Sequence, residues 1–129
     1  MAHMENEKEY HEQLVKSYLK ALEGRDMDTC MSFFAAGAVI HFMEGVYQGE
    51  QDIRQWHKDR FEAELQINEI EGIQHQGDTI TVQAVISSNR LRAWKIRQLS
   101  GYARARIQDG KIQELTFGPS VTNPLEDWS

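Results

Sequence analysis

A single cysteine, Cys30, in 129 residues excludes an internal disulfide, so the fold has to be held by packing. No apolar run approaches the length that spans a bilayer, and no membrane partner is expected. Positive charge is scarce: fourteen Lys and Arg against twenty Asp and Glu leave a net charge of −6, which argues against non-specific nucleic-acid binding. His41, His57 and His75 do not fall at HxH or HExxH spacing and no acidic cluster accompanies them, so no metal is expected. A glycine-rich phosphate loop is also missing, with Gly45, Gly49 and Gly72 standing alone as turn markers, and no cofactor is expected. No basic start followed by an apolar run precedes the first amphipathic segment, which with the lone cysteine sets the expectation of a reducing cytoplasm. Repeats, low-complexity segments and linkers are absent as well.

What is present reads as one domain over residues 5–129, with the opening "MAHM" taken as a cloning scar. Hydrophobic residues at 40% and charged residues at 26% are ordinary for a soluble globular chain, so a real core is within reach. From Glu5 to Glu23, Leu14, Tyr18 and Leu22, flanked by Val15 and Leu19, recur at three- and four-residue spacing and predict a helix with one buried stripe. Gly24 is suited to end it in a left-handed conformation, and Asp26 or Asp28 to cap a second helix running through Phe34. "AVIHFMEG" predicts a strand, Val46 to Gly49 a short strand or turn, and Glu50 to Glu62 a third helix with Ile53, Trp56 and Phe61 inward. Strands over 63–75, 79–88, 93–108 and 111–118 complete an antiparallel meander through the turns "QGD" and "QDG". The order is α+β, with helices gathered on one side of a curved sheet.

In "GYARARIQDGKIQELTF" the alternate positions Gly101, Ala103 and Ala105 are apolar but very small. A two-residue turn at Asp109-Gly110 would set Ala105 opposite Glu114, burying a carboxylate on the apolar face. A three-residue turn with Gly110 left-handed sets Arg104 against Glu114 and Ala103 against Leu115, and is the preferred register. Leu99, Gly101, Ala103, Ala105, Ile107, Leu115 and Phe117 then face the helices. The small residues either leave volume for a ligand or let a helix approach closely.

"YLKALEGRDMDTCMSFFAAGAVIHF", "GEQDIRQW" and "RIQDGKIQEL", in this order, resemble the NTF2-like superfamily and within it the SnoaL-like group of polyketide cyclases and ketosteroid isomerase relatives. The resemblance covers nearly the whole chain. It implies a cone-shaped, cystatin-like fold in which a curved, mostly antiparallel sheet wraps three helices of the N-terminal half around a pocket. It also implies a small, largely apolar molecule as ligand and a homodimer through the outer sheet face, where Tyr102 and Arg104 would lie. Family enzymes use pocket carboxylates, but here Ala103 and Phe117 stand where acidic residues often occur, and Phe42 falls at the isomerase general-base position. The known isomerase route is therefore not expected, although Tyr18 falls where that branch keeps an oxyanion tyrosine. What the resemblance leaves open is cofactor-free cyclisation, isomerisation or dehydration, or a non-catalytic binding or dimerisation module.

The candidate catalytic residues are Glu44 as general base, Tyr18 as donor to a substrate oxygen, and His57 as acid or base. Each has a plain alternative: a solvated loop acid, a core tyrosine with its hydroxyl satisfied, and a partly exposed structural histidine. Tyr47 and Trp56 either stack on a planar ligand or pack, and Ala103 and Phe117 face the same interior. "NRLRAWKIR" sets Arg90, Arg92, Lys95 and Arg97 around Trp94, a basic loop that either receives an anionic ligand through Trp94 and Arg97 or pairs within the protein or a dimer. Cys30, without a basic neighbour, reads as a small buried hydrophobe. The tail "NPLEDWS" carries Leu125 and Trp128, suited to fold back over a pocket mouth or dimer edge.

Overall fold

The computed structural model describes residues 2–43 and 45–119, with side chains from residue 7 onward. Helix α1 (Ala2–Glu23) buries Leu14, Val15, Tyr18, Leu19 and Leu22, the stripe its spacing predicts. Its end is made by Arg25, at φ 58°, rather than by Gly24. Asp26 then caps α2 (Met27–Ser32) by accepting from the Thr29 amide at 3.2 Å. This helix stops short of Phe34 because Phe34 opens strand β1 (Phe34–Phe42), pairing with Ile112 and packing edge-on to Tyr18 at 5.3 Å. The strand therefore starts four residues before the "AVIHFMEG" reading, with Gly37 at φ 78° in the stretch where its register shifts.

Strand β2 (Gly45–Gln48) returns along β1, and Gly49, at φ 86°, swings the chain into α3 (Glu50–Glu62). On α3 the buried residues are Ile53, Trp56, His57 and Arg60, an i, i+3, i+4, i+7 stripe against the sheet. Ala63 caps that helix and Glu64 sits at φ 53°, so β3 (Gln66–Gln76) starts three residues later than expected, and Gly72 lies beside a register shift within it rather than at a turn. Strand β4 (Thr79–Ser87) follows. The strand expected over 93–108 is shorter, because Ser88 accepts from the Leu91 amide at 3.2 Å and nucleates a short helix, α4 (Asn89–Ala93), before β5 (Leu99–Gln108). Strand β6 (Lys111–Pro119) ends the described chain.

The six strands form one sheet in the order β2-β1-β6-β5-β4-β3, antiparallel except for the β1/β6 pair. In the last hairpin Asp109 and Gly110 both take positive φ, 54° and 73°, and form a two-residue turn with Gln108 opposite Lys111 and Ile107 opposite Ile112. The three-residue reading is corrected: Gln113 is the extra residue, and beyond it Arg106 faces Glu114, Ala105 faces Leu115 and Ala103 faces Phe117. The irregularity achieves what the expected turn was invoked to do, keeping Glu114 off the apolar face, where it instead approaches Arg106 at 3.8 Å. Ile80, Val82, Ala103, Ala105, Ile107, Ile112 and Leu115 then form the inner sheet wall against α1 and α3.

Candidate functional site

At one end of this core the layers separate around a cavity of about 530 Å³, within the range that small-molecule sites occupy. Leu19 and Leu22 of α1 form one side, and Trp56 and Arg60 of α3, with its cap Ala63, another. The sheet contributes Val82, Ala84 and Ile86 from β4, Gly101 and Ala103 from β5, and Phe117 and Gly118 from β6. The rim is built by Met43 after β1 and by Ser88, Arg90, Leu91 and Trp94 of the α4 segment. Gly101 and Ala103 thus border open volume, whereas Ala105, one pleat further along β5, is fully buried in the packed core and does not line the cavity. A Cβ on Gly101 would sit 3.1 Å from the Gly118 carbonyl oxygen, so that position is small for its neighbouring strand as well.

The inner wall is aromatic. Trp56 stacks on Phe117 with centroids 4.9 Å apart and meets Phe42 edge-on at 5.6 Å. The Arg60 guanidinium lies 4.2 Å from the Phe42 ring centroid and 5.5 Å from that of Trp56. Arg60 is 9% exposed, yet it makes no ion pair among the described residues, and its Nε–H has no acceptor. The Trp56 Nε1–H is likewise buried without an acceptor among the described residues. Burial, then the like charge of Arg90, lower the Arg60 pKa, but a guanidinium remains protonated at neutral pH. The reading of the sequence missed Arg60, although a signal existed: a charged residue on the stripe that Ile53, Trp56 and His57 occupy.

Tyr18 and His57 are brought together but do not line the cavity. The His57 Nδ1–H donates to the Ile53 carbonyl at 2.7 Å, which leaves Nε2 to accept the Tyr18 hydroxyl proton at 2.8 Å. Both side chains are fully buried, so His57 is not the partly exposed residue its alternative reading describes. Burial holds the imidazole pKa down to about 4 and raises that of the Tyr18 phenol well above its ordinary value, so the pair is neutral around pH 7.

The other candidates are dispersed. Trp56, Ala103, Phe117 and Trp94 line the cavity, Trp94 from an exposed position at the rim. Tyr47 packs against the core beyond the cavity wall, and Arg97 lies with Gln98 beside a separate surface depression. Glu44 and the tail residues Leu125 and Trp128 lie outside the described residues. No Asp, Glu or His is among the described residues that line the cavity. His41 pairs with Glu114 at 2.8 Å and His75 with Glu12 at 3.3 Å, each on its own part of the surface. Cys30 is buried, and burial followed by the nearby Asp26 charge pushes its thiol pKa up to about 12. Among the described residues no helix is long and apolar enough to cross a membrane.

Solved structures share this architecture. A candidate polyketide cyclase from Xanthomonas campestris pv. campestris superposes with a TM-score of 0.75 at 17% identity, covering 95% of this chain and 96% of that one. The epoxide hydrolase/cyclase-like enzyme SalBIII, which has a role in pyran ring formation in the polyether salinomycin, gives 0.77 at 19% identity over 90% and 95% of the two chains. A candidate polyketide cyclase from Sinorhizobium meliloti gives 0.72 at 23% identity over 82% and 94%. At these identities the likeness establishes the fold. No protein of curated function matches the chain. The family model of the SnoaL-like domain matches residues 15–115, from the inward face of α1 to the middle of β6, and the chain belongs to that family, within the NTF2-like superfamily.

Proposed function

We propose that this protein binds a small, largely apolar molecule in the cavity between α1, α3 and the inner sheet face. The observation that carries the reading is the pairing of open volume with small side chains: Ala63, Ala84, Gly101 and Ala103 border a space of about 530 Å³ whose other walls are aromatic or aliphatic. Binding would stabilise through apolar area removed from water, with Trp56 and Phe117 offering stacked faces. The unpaired, buried Cys30 supports action in a reducing compartment, the cytoplasm. A homodimer through the outer face of β4 to β6 belongs to the same reading. It is supported by the surface on which Arg104 stacks over Tyr102 at 5.0 Å and bonds Thr81 at 3.3 Å, and size-exclusion chromatography with light scattering tests it.

Cofactor-free proton transfer, as in cyclisation, isomerisation or dehydration, is the second reading, and it attaches to Glu44. Met43 lines the cavity, and Glu44, the next residue in the sequence, is the carboxylate that the sequence nominates as base. Tyr18 and His57 would then serve beneath Trp56 as a neutral, hydrogen-bonded support.

The test is a thermal-shift screen against neutral polycyclic, steroid-like and acyl compounds, run in parallel on Ala103→Trp. Stabilisation of the parent that disappears in a folded Ala103→Trp supports the cavity as the site. Hits that survive the filled cavity place binding elsewhere and overturn the reading. Turnover lost in Glu44→Gln with binding retained would separate catalysis from containment.

A further inference from the structure

Two cations converge on a cavity that is otherwise apolar, and this sets the chemistry of what it holds. Arg60 reaches the wall from α3 and Arg90 the rim from α4, and neither makes an ion pair among the described residues. A buried guanidinium without a counter-ion is costly, because desolvation removes the water that stabilises its charge and no carboxylate among the described residues replaces it. Stacking on Phe42 and Trp56 offsets part of that cost but leaves the in-plane donors free, since a ring face accepts the cation and not the N–H directions. Ser88 accepts the Leu91 amide and leaves its hydroxyl proton without a partner among the described residues. Among the described residues, the charged groups that line the cavity are therefore both cations.

Resting on the proposal that the cavity binds a small molecule, we infer that its ligand is an acid: an apolar body carrying one carboxylate, held by Arg60 with Arg90 at the entrance. A carboxylate is the group that a planar guanidinium fork matches best, through two parallel charge-assisted bonds. The apolar body lies against Ala103, Gly101 and Phe117. Orientation follows, because only one end of the molecule can meet Arg60.

The experiment compares 1-pyrenebutyric acid with 1-pyrenebutanol, which share one apolar body and differ in the charged group. Binding is followed by pyrene fluorescence and calorimetry at pH 7. The acid is expected to bind about tenfold more tightly than the alcohol, and Arg60→Met to bring the two within about twofold of each other, the ratio of acid to alcohol affinity being the readout. Arg60→Lys is expected to recover part of the preference, since charge is retained and the fork is lost. Equal binding of acid and alcohol to the parent overturns the inference while leaving the cavity reading standing, and binding of neither overturns both. A preference that persists in Arg60→Met, or that vanishes in Arg90→Gln alone, overturns the role given to Arg60. A crystal structure of the parent with the acid bound gives an answer that does not depend on variants folding: a carboxylate away from Arg60 sinks the inference.

Discussion

The Tyr18 and His57 side chains carry the clearest residue-scale consequence of burial. His57 is fully enclosed, its Nδ1–H is committed to Ile53, and its Nε2 accepts from Tyr18. Protonating it inside the core would lose the Tyr18 bond as drawn and place a charge in low dielectric, which is why its pKa falls to about 4. The unfolded chain has no such restriction and binds the proton near pH 6.5. Stability is therefore full above that value, is lost as pH falls toward 4, and levels off below. Between pH 7 and pH 5 the loss should be about 2 kcal/mol, read from urea midpoints, and the full loss about 3 kcal/mol. The carboxylates held below their ordinary pKa, Glu12, Asp26 and Glu64, contribute stability that is lost mainly at lower pH, as it falls through the ordinary carboxylate range toward their lowered values, so their share between pH 7 and pH 5 is small. An unchanged midpoint at pH 5 would show that His57 is hydrated rather than enclosed. Tyr18→Phe should separately cost about 1–3 kcal/mol, because it leaves Nε2 buried without a donor, and a loss well below 1 kcal/mol would mean water replaces the hydroxyl.

At the scale of elements, β5 carries two alanines that differ in what lies above them. Ala103 borders the cavity, and Ala105 is sealed between Ile80 and Leu115, its neighbours on β4 and β6. A leucine at 103 has space to enter, whereas one at 105 has to displace packed neighbours. Ala105→Leu should cost about 1–3 kcal/mol and Ala103→Leu less than 1 kcal/mol, with only the latter weakening ligand binding at retained stability. Equal costs would mean that the cavity collapses in solution. The contrast was half legible in the sequence, because alternation places both residues on the inner face but not where the helices part from the sheet. The hairpin beyond them shows the same limit. Asp-Gly marks the turn, and both residues adopt positive φ, so Gly110→Ala should destabilise by about 1–2 kcal/mol. The extra residue at Gln113 has no local signature, because it answers to the need to keep Glu114 and Leu115 on opposite faces across two strands.

Over the whole molecule, the order of elements was legible because the helices carry strong stripes and the strands are bounded by turn residues. Only α4 was missed, being too short for a period and set by the Ser88 cap. The site was less legible. Trp56, Ala103 and Phe117 could be turned inward from spacing alone, but the meeting of Tyr18 with His57 depends on how α1 packs on α3, across 39 residues of sequence. The same global view predicts how a ligand would redistribute stability. The inner β4 and β5 amides, around Val82 and Ala103, are expected to exchange with solvent only when the molecule opens as a whole, whereas α4 buries none of its residues and is expected to open by itself at far lower cost. A ligand present at 100 times its Kd adds about 2.7 kcal/mol to any opening that releases it, a slowing of roughly 100-fold. With saturating 1-pyrenebutanol, exchange in β4 and β5 should slow by that factor. The α4 amides should slow as well, because Arg90, Leu91 and Trp94 line the rim and their opening uncovers the ligand. The β3/β4 turn at Gly77 and Asp78 lies away from the cavity and should keep its rate. Slowing in β5 with α4 unchanged would mean that the ligand is held by the sheet and α3 without the rim, and that α4 is not a cover to the site but an element beside it.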